Sequence, residues 1–189
     1  RNAYLFNVEK ISFKDLDQWS FGITTGNLCH TSGKFFAIEG ILVETNVGPI
    51  SQWSQPIINQ PEIGILGILA KKFNGVLHFL MQAKMEPGNI NTLQLSPTVQ
   101  ATKSNYTQVH KGKLVPYLEY FIDGAKSNIL IDQLQTEQGA RFLAKCNRNM
   151  IVEVTEDIFM CDDFCWLTIG QIKQLLKHDN VVNMDSRTV

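Results

Sequence analysis

The sequence predicts a protein of mixed α and β structure, α+β in class, with an antiparallel meander of strands at its centre. Apolar-rich runs over 34–45, 64–73 and 75–86 have the composition and alternation of strands. Asn74 and Gly75 separate the last two runs, and both residue types tolerate the positive φ angles of a tight hairpin turn. Apolar residues at helical spacing follow Thr168, so at least one helix accompanies the strands.

Six further features are predicted around the meander. They are, in chain order, a helix capped by Ser12, a turn at Pro87–Asn89, a strand over 92–101, a helix that starts at Thr136, a strand over 150–154 and a helix capped by Thr168. No low-complexity segment, internal repeat or linker interrupts the chain. We therefore expect residues 1–189 to form a single domain.

Composition narrows the class of protein. The chain has 189 residues, of which 44% are hydrophobic and 19% are charged, enough to bury one core. Seventeen basic residues against eighteen acidic ones give a net charge of −1, which leaves no positive excess for a nucleic-acid backbone. No apolar run reaches the ~18–20 residues of a membrane helix. We therefore expect a soluble protein with neither nucleic acid nor a membrane as its partner.

The four cysteines indicate reduced thiols rather than disulfides or a metal. A chain of this length stabilises itself with a core and needs no disulfide framework. Cys161 and Cys165 have a C-x3-C spacing, but no second pair completes a zinc site. We therefore expect no metal and a cytoplasmic location. The glycine-rich, Walker, H-E-x-x-H and G-x-S-x-G signatures of redox, kinase and hydrolase chemistry do not occur in the sequence.

Alternation along two successive strands predicts one polar face. The polar residues are His78, Gln82, Lys84 and Glu86 on the first strand and Thr92, Gln94, Ser96, Thr98 and Gln100 on the second. If the strands pair through the intervening turn, these residues share a face. Such a face is either an ordinary solvated side of a hairpin or a surface that binds a polyol. Pro97 is typical of an edge or bulge beside a cleft. Lys84 and Glu86, two residues apart on one strand, either support each other's charge or, if half buried, share proton transfer.

Other candidate residues are weaker when taken alone. Trp53 either stacks on a base or sugar or packs against its neighbours. Arg148 is expected just past a helix end, where it is either a structural cap or a phosphate ligand. Asn183, Asp185 and Arg187 alternate, as if they held one another at a strand edge.

Seven blocks of the sequence, in the right order from about residue 34 to the end, resemble the NDP-hexose 2,3-dehydratases. They are SQWSQPII (51–58), HFLMQAKMEPGN (78–89), LSPTVQ (95–100), SNY (104–106), ARFLAKCNRNMIVEV (140–154), WLTIGQIKQLL (166–176) and NVVNMDSRTV (180–189). The resemblance implies a fold related to the Nudix hydrolases, with helices flanking a mixed sheet. The glutamate-rich Nudix box is absent from this sequence, so pyrophosphate hydrolysis is not implied.

The activity implied by the resemblance is a dehydration in deoxysugar biosynthesis. It removes water across C2 and C3 of dTDP-4-keto-6-deoxy-glucose without a nicotinamide cofactor. The product is a 3,4-diketo-2,6-dideoxy sugar, which a 3-ketoreductase would consume. The alternative is a non-catalytic module that binds nucleotide sugars or serves as a partner copy.

The matching blocks contain the residue types that this chemistry needs. Glu86, Lys84, His78 and Tyr106 are the candidates for proton transfer, and the choice of base among Glu86, His78 and Tyr106 stays open. The candidates for substrate binding are Trp53, Gln82, Thr98, Gln100, Asn105, Arg148, Asn149, Asp185 and Arg187.

The family resemblance also predicts how the chain assembles. Family members usually carry two tandem copies of the module and this chain has one, so it is either half of a longer protein or a homodimer. Candidate interface residues are Leu118, Tyr120, Phe121 and the segment 159–166.

Overall fold

The computed structural model describes residues 5–102 and 115–189, and it is a mixed α+β structure in which strands predominate. The chain divides into two compact units. Among the described residues, unit one comprises 5–8, 64–102, 115–135 and 147–189, and unit two comprises Glu9–Ile63 and Thr136–Cys146. Across the described residues, we find no helix with the length and apolar character to span a membrane.

Unit two is built on a four-stranded antiparallel sheet. Its strands, in both chain and spatial order, are β1 (Trp19–Phe21), β2 (Leu28–His30), β3 (Ala37–Glu44) and β4 (Gln52–Asn59). The strand predicted over 34–45 is confirmed as β3. The helix predicted after Ser12 is wrong, because only a single 3-10 turn forms at Phe13–Asp15 and the Ser12 side chain makes no capping bond.

Unit one contains the larger sheet, which has seven strands. They are β5 (Gly64–Phe73), β6 (Val76–Met85), β7 (Leu93–Ser96), β8 (Val99–Ala101), β9 (Asn128–Thr136), β10 (Cys146–Glu153) and β11 (Phe164–Thr168). The order is β11-β6-β5-β10-β9, while β7 pairs with β6 and β8 pairs with β5. The pairing of β10 with β5 is parallel, which makes the sheet mixed.

The central hairpin of this sheet forms as the sequence predicts. Asn74 and Gly75 have φ angles of 49° and 79°, so both central turn residues are in the left-handed region. Phe73 and Val76 therefore pair directly across the turn. This turn sets the register in which β5 and β6 build the core.

The strand predicted over 92–101 is interrupted, and the interruption changes its partner. In β7, Ser96 pairs with Gln82 and Gln94 pairs with Lys84, so these polar residues share a face as predicted. After Pro97 the chain crosses to the next strand, and Gln100 of β8 pairs with Leu66 of β5. Proline has no N–H to donate to a ladder, so the exchange of partners occurs where the ladder is already broken.

Three short helices complete the described chain. They are α1 (Glu119–Ile122), α2 (Ile169–Leu175) and α3 (Asp185–Thr188). The helix predicted after Thr168 is confirmed as α2, where Thr168 accepts a bond from the Gln171 N–H and Gln171 caps in return. The helix predicted from Thr136 is wrong, since Thr136 ends β9 and 137–145 form a turn.

The core of unit one lies on both faces of its sheet. The larger cluster is formed by Ile65, Leu69, Leu80, Val99, Ala101, Tyr117, Leu118, Phe121, Met150, Val152, Val154 and Phe164. Gly67 lies under the Phe121 ring, where a Cβ would come within 2.3 Å of a ring carbon. Leu118, Phe121 and Phe164 are buried in this cluster, so their assignment to a dimer surface was wrong.

Candidate active site

Two residues predicted to move protons, Lys84 and Glu86, meet where β6 ends. Lys84 is the second-to-last residue of β6. Glu86 follows the strand and begins the turn toward β7. Their side chains form an ion pair with 3.0 Å between the Lys84 Nζ and the Glu86 Oε1. The side chains are 30% and 31% exposed, so this pair is partly shielded yet reachable by a small molecule.

Gln100 extends this pair because of the chain crossing at Pro97. The Lys84 Nζ donates to the Gln100 Oε1 at 2.8 Å. Gln100 is the central residue of β8, which pairs with β5 rather than β6. A single uninterrupted strand paired with β6 in the same register would place Gln100 opposite His78, ~20 Å along the strand from Lys84, so the crossing is what allows the contact.

Asp185, the first residue of α3, completes the arrangement. The Gln100 amide nitrogen donates to the Asp185 Oδ2. Burial raises the pKa of the Asp185 carboxyl above its usual range, and the bond from Gln100 opposes that rise. The charge of Glu86 raises the same pKa and the charge of Lys84 lowers it. We call Glu86, Lys84, Gln100 and Asp185 the four-residue network.

The position of α3 is fixed by polar contacts with β7. The buried Asn183 side chain donates to the Ser96 Oγ at 2.9 Å and accepts from the Ser186 N–H at 2.9 Å. Ser186 in turn donates to the Leu95 carbonyl at 3.0 Å. The prediction of a strand edge around Asp185 was therefore wrong. An asparagine three residues before a serine N–H is a helix-capping pattern, and that signal was present in the sequence.

Asn149 anchors the other end of α3. Its side chain is almost completely buried and donates to the Thr188 carbonyl at 2.8 Å. Asn149 pairs with Leu66, which pairs with Gln100, so Asn149 and Gln100 lie in one row on the same face of the sheet. The Asn149 Oδ1 has no hydrogen-bond partner within the described part of the chain.

Gln82 and Thr98 make contacts that serve the fold. The Gln82 amide donates to the Asp163 carboxylate at 2.8 Å. The buried Thr98 hydroxyl accepts from the Leu69 N–H at 2.9 Å and donates to the Leu80 carbonyl. Because these bonds link β5 and β6 at the point where the chain crosses, Thr98 has a structural role that a substrate contact would have to disrupt.

His78 does not join the network. It lies near the start of β6, six residues before Lys84, which is ~20 Å along an extended strand. Its Nδ1 is 2.9 Å from the Val76 carbonyl, and its ring packs edge-on against Phe73. The structure therefore separates His78 from Lys84 and Glu86, which were expected to work with it.

Arg148 is committed to an ion pair with a neighbouring strand. Its guanidinium donates from Nε and Nη2 to both oxygens of Asp132 on β9, at 2.6 Å and 2.5 Å. This fork lowers the pKa of the Asp132 carboxyl. The predicted place past a helix end is wrong, because Arg148 lies within β10. Asp132 was missed, since no local pattern links two residues on adjacent strands.

Arg187 lies on α3 and is more available than Arg148. Its side chain donates to the Val182 carbonyl at 2.9 Å, and the residue is exposed. A guanidinium has five N–H donors, so this single bond leaves several for a ligand.

Trp53 belongs to unit two, on β4. It is 40% exposed, and its indole N–H donates to the Gln55 Oε1 at 2.9 Å. Gln55 is held in turn by the Ala140 carbonyl. Asn105 and Tyr106, the remaining predicted site residues, lie outside the described residues.

Unit two also contains a cavity that the sequence did not predict. It has a volume of about 1000 Å³. It is lined mainly by apolar side chains, among them Phe13, Trp19, Phe36, Ile57 and Ile58, with Gln55 and Arg141 as polar residues. The four-residue network does not line it. The density of aromatic residues over 13–36 was the only signal for it in the sequence.

The four cysteines, Cys29, Cys146, Cys161 and Cys165, are not part of the four-residue network. The four cysteines are free thiols, and burial raises the pKa of Cys165. Over residues 5–102 and 115–189, no cluster of three or more His, Cys, Asp or Glu side chains is arranged to hold a metal ion.

The protein is therefore a mixed α+β protein with acidic and basic side chains grouped near the end of β6. Comparison with known proteins shows its family. The family model for NDP-hexose 2,3-dehydratase matches residues 1–189. This chain belongs to the NDP-hexose 2,3-dehydratase family.

Two relatives carry a more specific name, dTDP-4-dehydro-6-deoxy-alpha-D-glucopyranose 2,3-dehydratase. The protein of Saccharopolyspora spinosa is 58% identical over 184 residues, which cover 97% of this chain and 38% of that protein. The protein of Amycolatopsis orientalis is 58% identical over 194 residues, which cover 100% of this chain and 41% of that protein. The chain thus spans about two fifths of the length of these relatives.

A solved structure with a partial likeness is the Ap4A hydrolase of C. elegans. It has a TM-score of 0.40 and 13% sequence identity, and the likeness covers 63% of this chain and 89% of that chain. The Nudix-related fold implied by the family resemblance stays a prediction.

Proposed function

We propose that this chain is a catalytic module that removes water across C2 and C3 of a dTDP-4-keto-6-deoxy-hexose. The observation that carries the proposal is the four-residue network, which places two carboxyl groups and one ammonium group at the end of β6. This dehydration needs a base, a cation near a developing negative charge and a source of a proton. The name of the two relatives supports the choice of substrate.

Glu86 is the proposed base. The C4 ketone acidifies the proton on C3, so a carboxylate removes it when the resulting enolate is stabilised. Glu86 is partly exposed and borders the Pro87–Gly88 turn, where a sugar meets little steric resistance. His78 is ~20 Å from Lys84 along the strand, so Glu86 is the candidate base that the network itself supplies.

Lys84 is the proposed stabiliser of the enolate. Its ammonium group is held between Glu86 and Gln100, so its charge is fixed beside the base before substrate arrives. A cation placed where negative charge develops lowers the barrier without a reorganisation cost. Once the hydroxyl group has left C2, the enol that remains becomes the 3,4-diketo-2,6-dideoxy sugar.

The nucleotide part of the substrate needs an aromatic surface and cations. Exposed Arg187 is the proposed contact for the diphosphate, with Gln82 and Asn149 of the same unit as further polar contacts. Trp53 and Asn105 stay candidates for nucleotide binding that rest on the family resemblance alone. No nicotinamide cofactor enters the proposed reaction, since the elimination and the tautomerisation change no overall oxidation state.

The remaining expectations are proposals of the same kind. We propose that residues 1–189 act as one domain with a Nudix-related fold, that the protein works in the cytoplasm as a homodimer, and that a 3-ketoreductase consumes its product. The alternative function is a non-catalytic module that binds a nucleotide sugar and supports an active copy.

The test is incubation of the purified chain with dTDP-4-keto-6-deoxy-glucose and a trapping 3-ketoreductase. Mass spectrometry should detect a trapped product that has lost one water. A heat-inactivated sample is the control for spontaneous breakdown of the keto sugar. If the chain binds dTDP-sugars but consumes no 4-keto sugar, the non-catalytic alternative replaces this proposal.

A further inference from the structure

We propose that Asp185 is the general acid that protonates the hydroxyl group leaving C2, and that Gln100 is the residue that positions it. This inference rests on the proposed dehydration. It gives Asp185 a different task from Glu86 and from the substrate-binding role expected from the sequence. The elimination then uses two carboxyl groups, one on each side of Lys84.

The geometry connects the two carboxyl groups without letting them touch. Glu86 contacts the Lys84 ammonium directly, whereas Asp185 reaches it only through the Gln100 amide. The Gln100 amide nitrogen donates to the Asp185 Oδ2, which, within the described part of the chain, leaves the Asp185 Oδ1 to carry the acidic proton. A base and an acid held apart in this way can serve adjacent carbons of one sugar.

The surroundings of the two carboxyl groups differ as the two roles require. Burial raises the pKa of Asp185, which favours the protonated form that an acid needs. The charged groups that act on Asp185 are Glu86, which adds to the rise, and Lys84, which opposes it. Glu86 itself is nearly one-third exposed and forms a direct ion pair with the Lys84 ammonium at 3.0 Å.

Lys84 is a poorer candidate for the acid. Its ammonium donates to the Glu86 Oε1 and the Gln100 Oε1, which occupies two of its three protons. An ammonium group fixed in this position is better placed to stabilise the negative charge on the enolate oxygen at C4. His78 is excluded by its distance along β6, ~20 Å from Lys84.

The proposed steps balance as follows. Glu86 takes the C3 proton, and the electron pair of that C–H bond moves into the enolate that ends at the C4 oxygen. The enolate then collapses to form the C2–C3 double bond, and the C2–O bond breaks with its electron pair on oxygen. Asp185 gives its proton to that oxygen, so water leaves and Asp185 becomes a carboxylate.

Tautomerisation restores both groups. The C3 enol hydroxyl gives its proton to Asp185 as the C3 carbonyl forms, and C2 takes the proton held by Glu86. One water has left the sugar, and both side chains have regained their starting forms. The cycle needs no oxidant, reductant or co-reactant.

Exchange in D2O separates the two roles. Because Glu86 is partly exposed, a proton that it takes from C3 can exchange with solvent. Wild-type protein should therefore place deuterium at C3 of recovered substrate while it also eliminates water. Asp185→Asn should lower elimination by ~10²–10⁴-fold and keep the C3 exchange, since only the acid is lost. Glu86→Gln should lose both. Asp162→Asn, a change of the same type at an exposed position, is the matched control.

The outcomes are distinct for the inference and for the proposed function. Elimination by Asp185→Asn at a near wild-type rate, or loss of C3 exchange together with elimination, would overturn the role of Asp185 alone. Wild-type protein that eliminates no water would overturn the proposed function and this inference with it.

A second variant tests the positioning role of Gln100 even if Asp185→Asn fails to fold. The rate of elimination should fall on the alkaline side as Asp185 loses its proton. Gln100→Leu removes the bond that lowers the pKa of Asp185, so it should move this alkaline limb to higher pH. A purely structural role predicts a lower rate with an unmoved limb, and that result would contradict the inference.

Discussion

At the scale of single residues, partners decide which charged side chains are free to meet a substrate. Arg148 and Arg187 both lie in blocks that resemble the family, and the sequence analysis gives both the same candidate role in substrate binding. The Arg148 guanidinium donates to both carboxylate oxygens of Asp132, whereas the Arg187 guanidinium donates to the Val182 carbonyl. These contacts favour Arg187 over Arg148 as a ligand for the diphosphate of the proposed substrate.

A first prediction follows for the ion pair of Arg148 with Asp132. The Arg148 side chain is half exposed, so solvent screens the pair and its removal should cost only about 0.5–1 kcal/mol of unfolding free energy. Arg148→Ala should leave the affinity for dTDP unchanged. Urea unfolding in a double-mutant cycle with Asp132→Asn, and calorimetry with dTDP, measure the two effects. A tenfold loss of affinity in Arg148→Ala alone would show that Arg148 binds the nucleotide.

A second prediction concerns Asp185 and the pH dependence of stability. The folded-state pKa of Asp185 is raised by burial, so the native state holds its proton more tightly than the unfolded chain does. The resulting stability is present below the unfolded pKa of about 4 and is lost as the pH rises through the native pKa. Asp185→Asn has no such proton. As the pH rises above ~4, the unfolding free energy of Asp185→Asn should fall less than that of wild type. Urea unfolding at a series of pH values measures this, and an equal dependence on pH in both proteins would contradict it.

At the scale of secondary-structure elements, what the sequence could predict was local. The Asn74–Gly75 turn and the Thr168–Gln171 cap each involve neighbours in the chain, and both form as expected. The region after Thr136 has a helix-start pattern, yet Thr136 continues β9 because that strand pairs with β10. No local pattern shows such pairing, so the prediction there failed.

Because local patterns do not show contacts between distant segments, the sequence predicted the residues of the site but not how they come together. Glu86, Lys84, Gln100 and Asp185 were each singled out from the sequence for a type of chemistry. Their junction depends on the crossing at Pro97 and on the Asn183 contacts that hold α3 against β7. Contacts between distant segments set those features, which alternation along single strands does not reveal.

The crossing gives a third prediction, at Thr98. Its buried hydroxyl satisfies the Leu69 N–H and the Leu80 carbonyl between β5 and β6. Thr98→Val keeps the shape and leaves both groups without a partner, which should cost ~1–3 kcal/mol of unfolding free energy. Thr98→Ser retains the hydroxyl and is the matched control, expected to lose less in urea unfolding. A Val variant as stable as the Ser variant would show that the hydroxyl does not hold the crossing together.

At the scale of the whole molecule, the relatives are more than twice as long as this chain, a length that fits paired modules. Burial of Leu118, Phe121 and Phe164 removes them from the candidate interface. The apolar residues exposed on β9, at the end of the larger sheet, are Ile129, Leu130, Ile131 and Leu134. An exposed apolar end strand is a template for association with another chain.

The fourth prediction is therefore self-association that depends on β9. Light scattering at micromolar concentration should give the mass of two chains. Ile131→Lys should shift the mass toward one chain, because a charge on an end strand opposes strand association. Lys126→Ala, a change at an exposed residue outside β9, is the control. A wild-type monomer with full dehydratase activity would contradict both the dimer and any need for pairing.

The central claim is that Glu86 performs a dehydration at the end of β6, and one comparison tests it most directly. Wild type and Glu86→Gln are incubated with dTDP-4-keto-6-deoxy-glucose and the trapping reductase, and calorimetry measures dTDP affinity for both. We predict a product lacking one water from wild type, a rate lower by ~10²–10⁴-fold for Glu86→Gln, and affinities within a few-fold of each other. Near-normal turnover by Glu86→Gln, with Glu119→Gln as the exposed control, would remove Glu86 from the mechanism.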